Sequence, residues 1–192
     1  MIPEEVLIFA GRGAYPEYVL QGARKAGVKR VLVAGVRGMA SRRLLHAADA
    51  SLVFGVGELQ RALDWLAAHH VETMLLAGQI TPAALFFSRF DALTRRLLSE
   101  LPVKNAHTIF GRIIQEIEAR GTRVIPASCF MGDHLPGIGL LTQRPLSARE
   151  QADIDFGQHV AMGVCDLDIG QTLVVKEGMV LAVEAFEGTN AT

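Results

Sequence analysis

The stretch that decides the fold is VLIFAGRG, residues 6–13, a continuous apolar run that ends in a glycine-rich turn. An apolar run without alternation is typical of a strand buried on both faces of a parallel sheet. Pro16 follows where a helix can begin, and Gly27 suits the end of that helix. The segment therefore predicts a strand, a turn and a helix that ends at about Ala26.

The same alternation continues along the first half of the chain. Further strands are predicted at 30–35, 51–54, 73–77 and 123–126, and further helices at 58–69, 82–101 and 108–120. Strands that alternate with helices through short connections are typical of a doubly wound parallel sheet. We therefore predict an α/β protein whose residues 1–126 form a Rossmann-like nucleotide-binding domain.

The pattern changes in the second half. Residues 127–146 are rich in glycine and proline and predict a linker. Ser147 and Glu150 have the spacing of a capping box, which predicts a helix to about Gly163. The runs 171–176 and 179–185 then predict a β-hairpin.

This helix and hairpin indicate the start of a second α+β domain over 147–192. The segment is shorter than the roughly 60 residues at which small domains become marginally stable alone. We expect it to pack on the first domain or on a partner chain, or to belong to a longer polypeptide.

Composition excludes several classes of protein. The formal charge of −1 and the absence of a polybasic run argue against nucleic acid as a partner. Cys129 and Cys165 are too few and too far apart for a disulfide framework or a zinc site. Without a signal peptide or an apolar run near 18 residues, a cytoplasmic protein is predicted, with peripheral membrane contact left open.

The turn Gly11-Arg12-Gly13 is the first candidate site. Backbone N–H groups and the helix dipole favour a phosphate between a strand and a helix. A nicotinamide dehydrogenase is disfavoured, because Pro16 replaces the third glycine of the fingerprint and Gly35 stands where an acidic residue would bind ribose. A plain strand-to-helix turn is the alternative interpretation.

Two other strand exits also carry glycine, at Gly55 with Gly57 and at Gly78. Ligands of open α/β sheets bind at the carboxyl ends of the strands. We therefore predict one shared cleft, with Gln79 and Thr81 at its margin, although these two side chains suit helix capping equally well.

Carboxylates concentrate in the second half, at Asp133, Asp153, Asp155, Asp166, Asp168, Glu184 and Glu187. Mg²⁺ commonly uses one or two protein carboxylates together with substrate phosphates. A turn before a strand is the alternative for Asp166 and Asp168. The chain has no Gly-x-Ser-x-Gly elbow, no P-loop and no His-Glu-x-x-His motif, which disfavours an α/β-hydrolase and a zinc hydrolase.

Several motifs together resemble one enzyme family. DIGQ at 168–171, Val174-Val175 and VLAVEAFEGT at 180–189 closely resemble the UDP-2,3-diacylglucosamine pyrophosphatases of lipid A biosynthesis, of the two-domain type unrelated to metallophosphoesterases. The segments AGRGAYP at 10–16, GVGE at 55–58, AGQ at 77–79 and ADI at 152–154 follow in the order of that family. The resemblance covers nearly the whole chain.

The resemblance implies hydrolysis of UDP-2,3-diacylglucosamine by attack of water on the α-phosphorus, giving UMP and 2,3-diacylglucosamine 1-phosphate. It implies dependence on Mg²⁺ or Mn²⁺, with the protein ligands of the metal undefined. It also implies that the enzyme acts at the surface of the inner membrane as a peripheral protein. The implied substrate-binding residues are Gly11, Arg12, Gly13, Gly57, Gly78, Gln79, Asp133 and Thr189, and the implied catalytic residues are Asp153, Glu184 and Glu187. The residues that would face the substrate from the second domain are Asp133, Asp153, Glu184, Glu187 and Thr189. A homodimer is also expected.

Departures from the family pattern keep other hypotheses open. The usual Gly-Thr-Asp is Gly188-Thr189-Asn190 here, and acidic residues common before the helix at 108 are replaced at 104–107. The family's C-terminal domain continues beyond this motif, so the resemblance predicts a longer polypeptide. The alternatives are a non-catalytic nucleotide- or lipid-binding module that lacks the catalytic tail and, less favoured, a Rossmann-type oxidoreductase.

Overall fold

The computed structural model describes residues 2–80, 88–103, 106–185 and 187–192. Its contacts divide the chain into a first unit, Met1–Leu135, and a second unit, Pro136–Thr192. The first unit contains the parallel sheet, and the second contains a helix and a two-stranded sheet.

A five-stranded parallel sheet forms the centre of the first unit. Its strands are β1 (Glu5–Ala10), β2 (Arg30–Val36), β3 (Ala50–Phe54), β4 (Thr73–Ala77) and β5 (Arg123–Val124), in the order β3-β2-β1-β4-β5. The order reverses between β1 and β4, as in a doubly wound sheet. The predicted α/β class is confirmed.

Helices cover both faces of this sheet. They are α1 (Tyr15–Ala26), α2 (Arg42–Ala47), α3 (Leu59–Ala68), α4 (Ala92–Ser99) and α5 (Ala106–Glu118). The sequence pattern missed α2, which is short and buries only Leu44. Residues 81–87, where Thr81 and part of the predicted helix 82–101 fall, lie outside the described residues.

The core explains why the opening stretch is continuously apolar. Leu7 and Phe9 of β1 pack into one hydrophobic cluster with α3, α4 and α5. Val6 and Ile8 pack into a second cluster with α1 and α2. Because successive side chains of a strand point to opposite faces, a central strand covered on both faces must be apolar throughout.

The first helix has the bounds that its punctuation predicts. Pro16 lies in its first turn, and Gly27 ends it in the left-handed conformation, with φ of 97°. A non-glycine residue would pay a steric penalty at that angle. These two residues mark the two ends of α1.

The chain after β5 belongs to the first unit as far as Leu135, whereas the sequence pattern ended that domain at 126. Short 3₁₀ turns at Ala127–Phe130 and Gly132–His134 follow Pro126. Phe130 and Met131 are buried in the core against α1. A Cβ on Gly22 would come within 1.8 Å of the Phe130 carbonyl oxygen, so glycine is required there.

The second unit consists of α6 (Ala148–Asp166) and an antiparallel hairpin of β6 (Leu173–Lys176) and β7 (Met179–Val183). The predicted capping box is present, because the Ser147 hydroxyl accepts from the Glu150 N–H while the Glu150 carboxylate accepts from the Ser147 N–H. Glu177 and Gly178 form the predicted turn with φ of 56° and 74°.

Candidate functional site

The turns after four strands lie at one edge of the first unit's sheet. Ala10, the last residue of β1, is in register with Gly35 of β2 and with Ala77 of β4. Gly35 is in turn in register with Val53 of β3. Neighbouring strands are about 4.8 Å apart, so the glycine-bearing exits of β1, β3 and β4 share this carboxyl edge.

The exits of β1 and β4 are hydrogen-bonded to each other. The N–H of Gly11 donates to the Ala77 carbonyl at 2.9 Å. The N–H of Arg12 donates to the Gln79 carbonyl at 2.8 Å, and the N–H of Gln79 donates to the Arg12 carbonyl at 2.9 Å. These three amide hydrogens, two of which come from the predicted phosphate-binding turn, are therefore occupied by the protein itself.

The glycines at this edge have packing reasons of their own. A Cβ on Gly11 would lie 2.4 Å from the Gln79 carbonyl oxygen, and one on Gly78 would lie 2.7 Å from that of Arg12. A Cβ on Gly57 would lie 2.1 Å from the Arg89 carbonyl oxygen. Close approach between backbone segments accounts for these glycines, and their contact with substrate stays a prediction.

Gly13 differs from the other glycines of the edge. It has φ of 102°, and nothing lies within 4 Å of a Cβ placed on it. The N–H groups of Gly13 and Ala14 have no hydrogen-bond partner within the described ranges of the chain. They precede the first turn of α1, where the helix dipole favours an anion. The N–H groups at 13–14 are thus suited to an anion, and phosphate binding there stays a prediction.

A carboxylate shared by two arginines lies at the same edge, and we call Arg37, Glu58 and Arg61 the Glu58 cluster. Glu58 Oε2 accepts from the Gly55 N–H at 2.9 Å and lies 3.1 Å from Arg37 Nη2 and 3.3 Å from Arg61 Nη1. The bond from Gly55, aided by Arg37 and opposed by desolvation, holds the pKa of Glu58 below its ordinary value. Glu58 is thus an ionised anchor for both guanidinium groups.

The sequence analysis did not single out Arg37 or Arg61. The available signal was the position of Arg37, directly after a strand as continuously apolar as β1. A charged side chain at that point of a parallel sheet faces the ligand edge.

Asp133 lies in the first unit, which corrects its predicted assignment to the second domain. Its carboxylate pairs with Lys25 at the end of α1, and the pair keeps the pKa of Asp133 low. The neighbouring His134 stacks on Tyr18 of α1 with ring centroids 4.2 Å apart, and the contact of Asp133 with substrate stays a prediction.

Asp153 of the second unit holds the hairpin turn. Its Oδ2 accepts from the Glu177 N–H at 2.9 Å, and its Oδ1 accepts from the Gly178 N–H at 2.7 Å. Glu177 needs this support because φ of 56° is unfavourable for a residue with a side chain. Both oxygens of this predicted catalytic group thus have a structural role, and its catalytic role stays a prediction.

Glu184 is the buried carboxylate of the second unit. It accepts from the Thr189 hydroxyl at 2.8 Å and from the Gln171 N–H at 3.3 Å. The Thr189 bond is the main cause that lowers the pKa of Glu184. Glu187 accepts from the Ala185 N–H at 3.1 Å. The structure brings the predicted residues Glu184, Glu187 and Thr189 into one local loop.

Each unit has a concave surface of its own. A groove of about 580 Å³ lies between α6 and the hairpin, and its lining includes Asp153, Gln171 and Thr172. A cavity of about 380 Å³ in the first unit includes Val71 and Thr122 in its lining, which lie at the amino ends of β4 and β5. Ligands of open α/β sheets bind at the carboxyl edge, so we do not assign this cavity of the first unit to the site.

The described residues contain no group of three or more His, Cys, Asp or Glu side chains placed to hold a metal ion. The donor oxygens of Asp153 and Glu184 are instead bonded to protein N–H and O–H groups. Among the described helices, none has the length and hydropathy needed to cross a membrane.

A doubly wound sheet with a glycine turn and paired charges at its carboxyl edge defines the first unit as a Rossmann-like α/β domain. The chain belongs to the LpxI family: residues 5–134 match the LpxI N-terminal domain, and residues 137–192 match the LpxI C-terminal domain. The family resemblance seen in the sequence is thereby confirmed.

A similar curated protein is the UDP-2,3-diacylglucosamine pyrophosphatase LpxI of Caulobacter vibrioides, which is 32% identical over 193 residues. The match covers 96% of this chain and 66% of the relative, so the chain spans just under two thirds of that protein's length.

Solved structures give weaker similarities. The biotin carboxylase domain of a thermophilic 2-oxoglutarate carboxylase bound to ADP has a TM-score of 0.40 at 16% identity, over 68% of this chain and 25% of that one. The biotin carboxylase subunit of pyruvate carboxylase has a TM-score of 0.39 at 15% identity, over 69% and 25%.

Proposed function

We propose that this protein hydrolyses the pyrophosphate bond of UDP-2,3-diacylglucosamine, releasing UMP and 2,3-diacylglucosamine 1-phosphate. The observation that carries the proposal is the match of both halves of the chain to the two LpxI domains. The similarity to a UDP-2,3-diacylglucosamine pyrophosphatase over 96% of the chain supports it. The amide groups at 13–14 and the Glu58 cluster supply polar contacts suited to a nucleotide diphosphate.

We further propose that hydrolysis depends on Mg²⁺ or Mn²⁺. The described residues do not form a metal site by themselves, and we assign no protein ligand. Mg²⁺ is commonly bound by one or two carboxylates together with substrate phosphates. A homodimer and contact with the inner-membrane surface, which carries the acylated substrate, complete the proposal.

The test is release of UMP from UDP-2,3-diacylglucosamine by the purified protein at its natural length. We expect release with Mg²⁺ or Mn²⁺ and none with EDTA, and the products are separated by chromatography. Release in EDTA would overturn the metal dependence alone. No release of UMP with any divalent ion would overturn the proposed hydrolase activity. Gel filtration with light scattering tests the homodimer, and flotation with phosphatidylglycerol vesicles tests the membrane contact.

A nucleotide-binding module without hydrolysis is the second candidate. One observation favours it, because the carboxylates of Asp153 and Glu184 are engaged by the hairpin turn and by Thr189 with Gln171. This candidate predicts that the protein binds UDP in calorimetry and releases no UMP from the lipid-linked substrate.

A further inference from the structure

The Glu58 cluster lies where a Rossmann-like sheet receives its ligand. Arg37 follows β2 directly, and its N–H donates to the Phe54 carbonyl at the end of β3 at 2.7 Å. Arg61 lies in the first turn of α3, the helix that follows β3. In Rossmann domains the side chains near the end of β2 reach the nucleotide at its ribose, where an acidic residue bonds the 2′-hydroxyl and an arginine accommodates a 2′-phosphate.

The two guanidinium groups are oriented by one carboxylate. Glu58 contacts a single terminal nitrogen of each, Nη2 of Arg37 and Nη1 of Arg61. The remaining N–H donors of these two side chains have no partner in the part of the chain that the structure describes. A guanidinium presents five donors in a planar fork that matches phosphate oxygens. The geometry therefore leaves donors available beside a fixed anchor.

Charge and exposure favour binding over a purely structural role. Two arginines share one carboxylate, so the cluster has a net positive charge. The side chains of Arg37 and Arg61 are 58% and 55% exposed. Ion pairs as exposed as these contribute little to stability. A phosphate would supply the missing negative charge.

The opposite end of β2 provides a contrast. Arg30, its first residue, makes a one-to-one ion pair with Glu5 at 2.6 Å. That pair is electrically balanced and lies at the amino edge of the sheet, away from the ligand edge. The same strand thus carries a neutral pair at one end and a net positive cluster at the other.

We propose that Arg37 and Arg61, positioned by Glu58, bind a phosphate group of the nucleotide. The inference rests on the proposed function and identifies which residues of the first unit recognise the phosphate. Uridine, which lacks a phosphate, should not depend on these side chains.

The experiment compares UDP and uridine binding to the intact protein by calorimetry and, for weak binding, by ligand-observed NMR. We expect Arg37→Ala and Arg61→Ala each to weaken UDP binding about tenfold or more, while uridine binding stays the same. Arg30→Ala, which removes the same charge at the opposite end of β2, should leave both affinities unchanged. The melting temperature checks that each variant is folded.

Glu58→Gln separates positioning from bulk charge. If the carboxylate positions the arginines, its loss weakens UDP binding although the edge becomes more positive. Tighter UDP binding in this variant would overturn the positioning role. Equal effects of Arg37→Ala and Arg30→Ala, or an equal loss of uridine binding, would overturn the phosphate site while leaving the proposed function intact. No UDP binding by the unchanged protein would overturn both.

Discussion

The two units of the chain are held together in different ways. In the first unit, whole strands are buried and their side chains fill two clusters on either face of a sheet. In the described part of the second unit, only Gly157 and Glu184 are buried. There the order comes from polar contacts at chain turns, such as the capping box at Ser147 and the Asp153 contacts with the hairpin. A hydrophobic core stabilises the first unit, and hydrogen bonds at turns order the second.

A matched pair of leucine substitutions should give the largest effect. Leu32→Ala in β2 removes a fully buried side chain, and we expect a loss of about 2–5 kcal/mol from the lost burial and the cavity. Leu181→Ala in β7 changes a side chain that is 58% exposed and should cost less than about 0.5 kcal/mol. Trp65, the chain's one tryptophan, lies in α3. Its fluorescence in a denaturant titration therefore reports the first unit, and hydrogen exchange of the β6 and β7 amides at the same denaturant concentrations reports the second.

The same measurement can break the comparison. If Leu181→Ala destabilised the protein as much as Leu32→Ala, the exposed face of β7 would have to be covered in solution. Far-UV circular dichroism in parallel shows whether the helix and hairpin of the second unit unfold at another denaturant concentration. A single shared transition would mean that the units unfold together.

Asp153 should give the next largest effect, confined to the second unit. Asp153→Ala leaves the N–H groups of Glu177 and Gly178 without their acceptor, which should cost about 1–3 kcal/mol of hairpin stability. Asp155→Ala is the control, because Asp155 lies on the same helix and accepts only from Gln151 within the described residues. Hydrogen exchange of the β6 and β7 amides measures the difference.

This pair also tests the predicted catalytic role of Asp153. If the carboxylate acts on substrate, Asp153→Ala lowers UMP release while the hairpin amides keep their protection. If its role is to hold the turn, Asp153→Ala lowers both the exchange protection of the hairpin amides and the release of UMP. Unchanged protection in Asp153→Ala would contradict the structural role.

Most of the first unit was predictable because its signals are local. The continuous apolar runs of β1, β2 and β4 identify strands covered on both faces. Pro16 and Gly27 mark the ends of α1. The sequence pattern missed α2 because its six residues form fewer than two turns, which is too short to display a period, and only its cap, Ser41, marks it.

The site was less predictable because its glycines have distant partners. A strand that ends in glycine indicates close approach of some group, and the sequence does not say whether that group is a ligand or another backbone segment. Gly11 meets Gln79, and Gly57 meets Arg89. Sequence alone likewise cannot show that Asp153 is bonded to a turn 24 residues away. The shared edge was predictable from topology, whereas the groups that contact its glycines were not.

Acid should produce the smallest effect, at the start of α6. Glu150 accepts from both terminal nitrogens of Arg144 and from the Ser147 N–H and hydroxyl. The Arg144 hydrogen bond, followed by those from Ser147, lowers the pKa of Glu150 from 4.5 to about 2. Since the folded state holds the charged form, this contribution is complete above pH 4.5 and is lost as the pH falls toward 2.

An NMR titration of the Glu150 carboxyl carbon measures this pKa directly, and the amide exchange of α6 over the same pH range measures its consequence. Ser147→Ala should raise the pKa of Glu150 by removing the hydroxyl that donates to it, and Arg144→Ala should raise it further. Both shifts should leave the Trp65 transition unchanged if each unit is stabilised from within. A pKa near 4.5 in the unchanged protein would show that the capping box does not hold Glu150 in its charged form, and the contrast between the units would then lose its polar half.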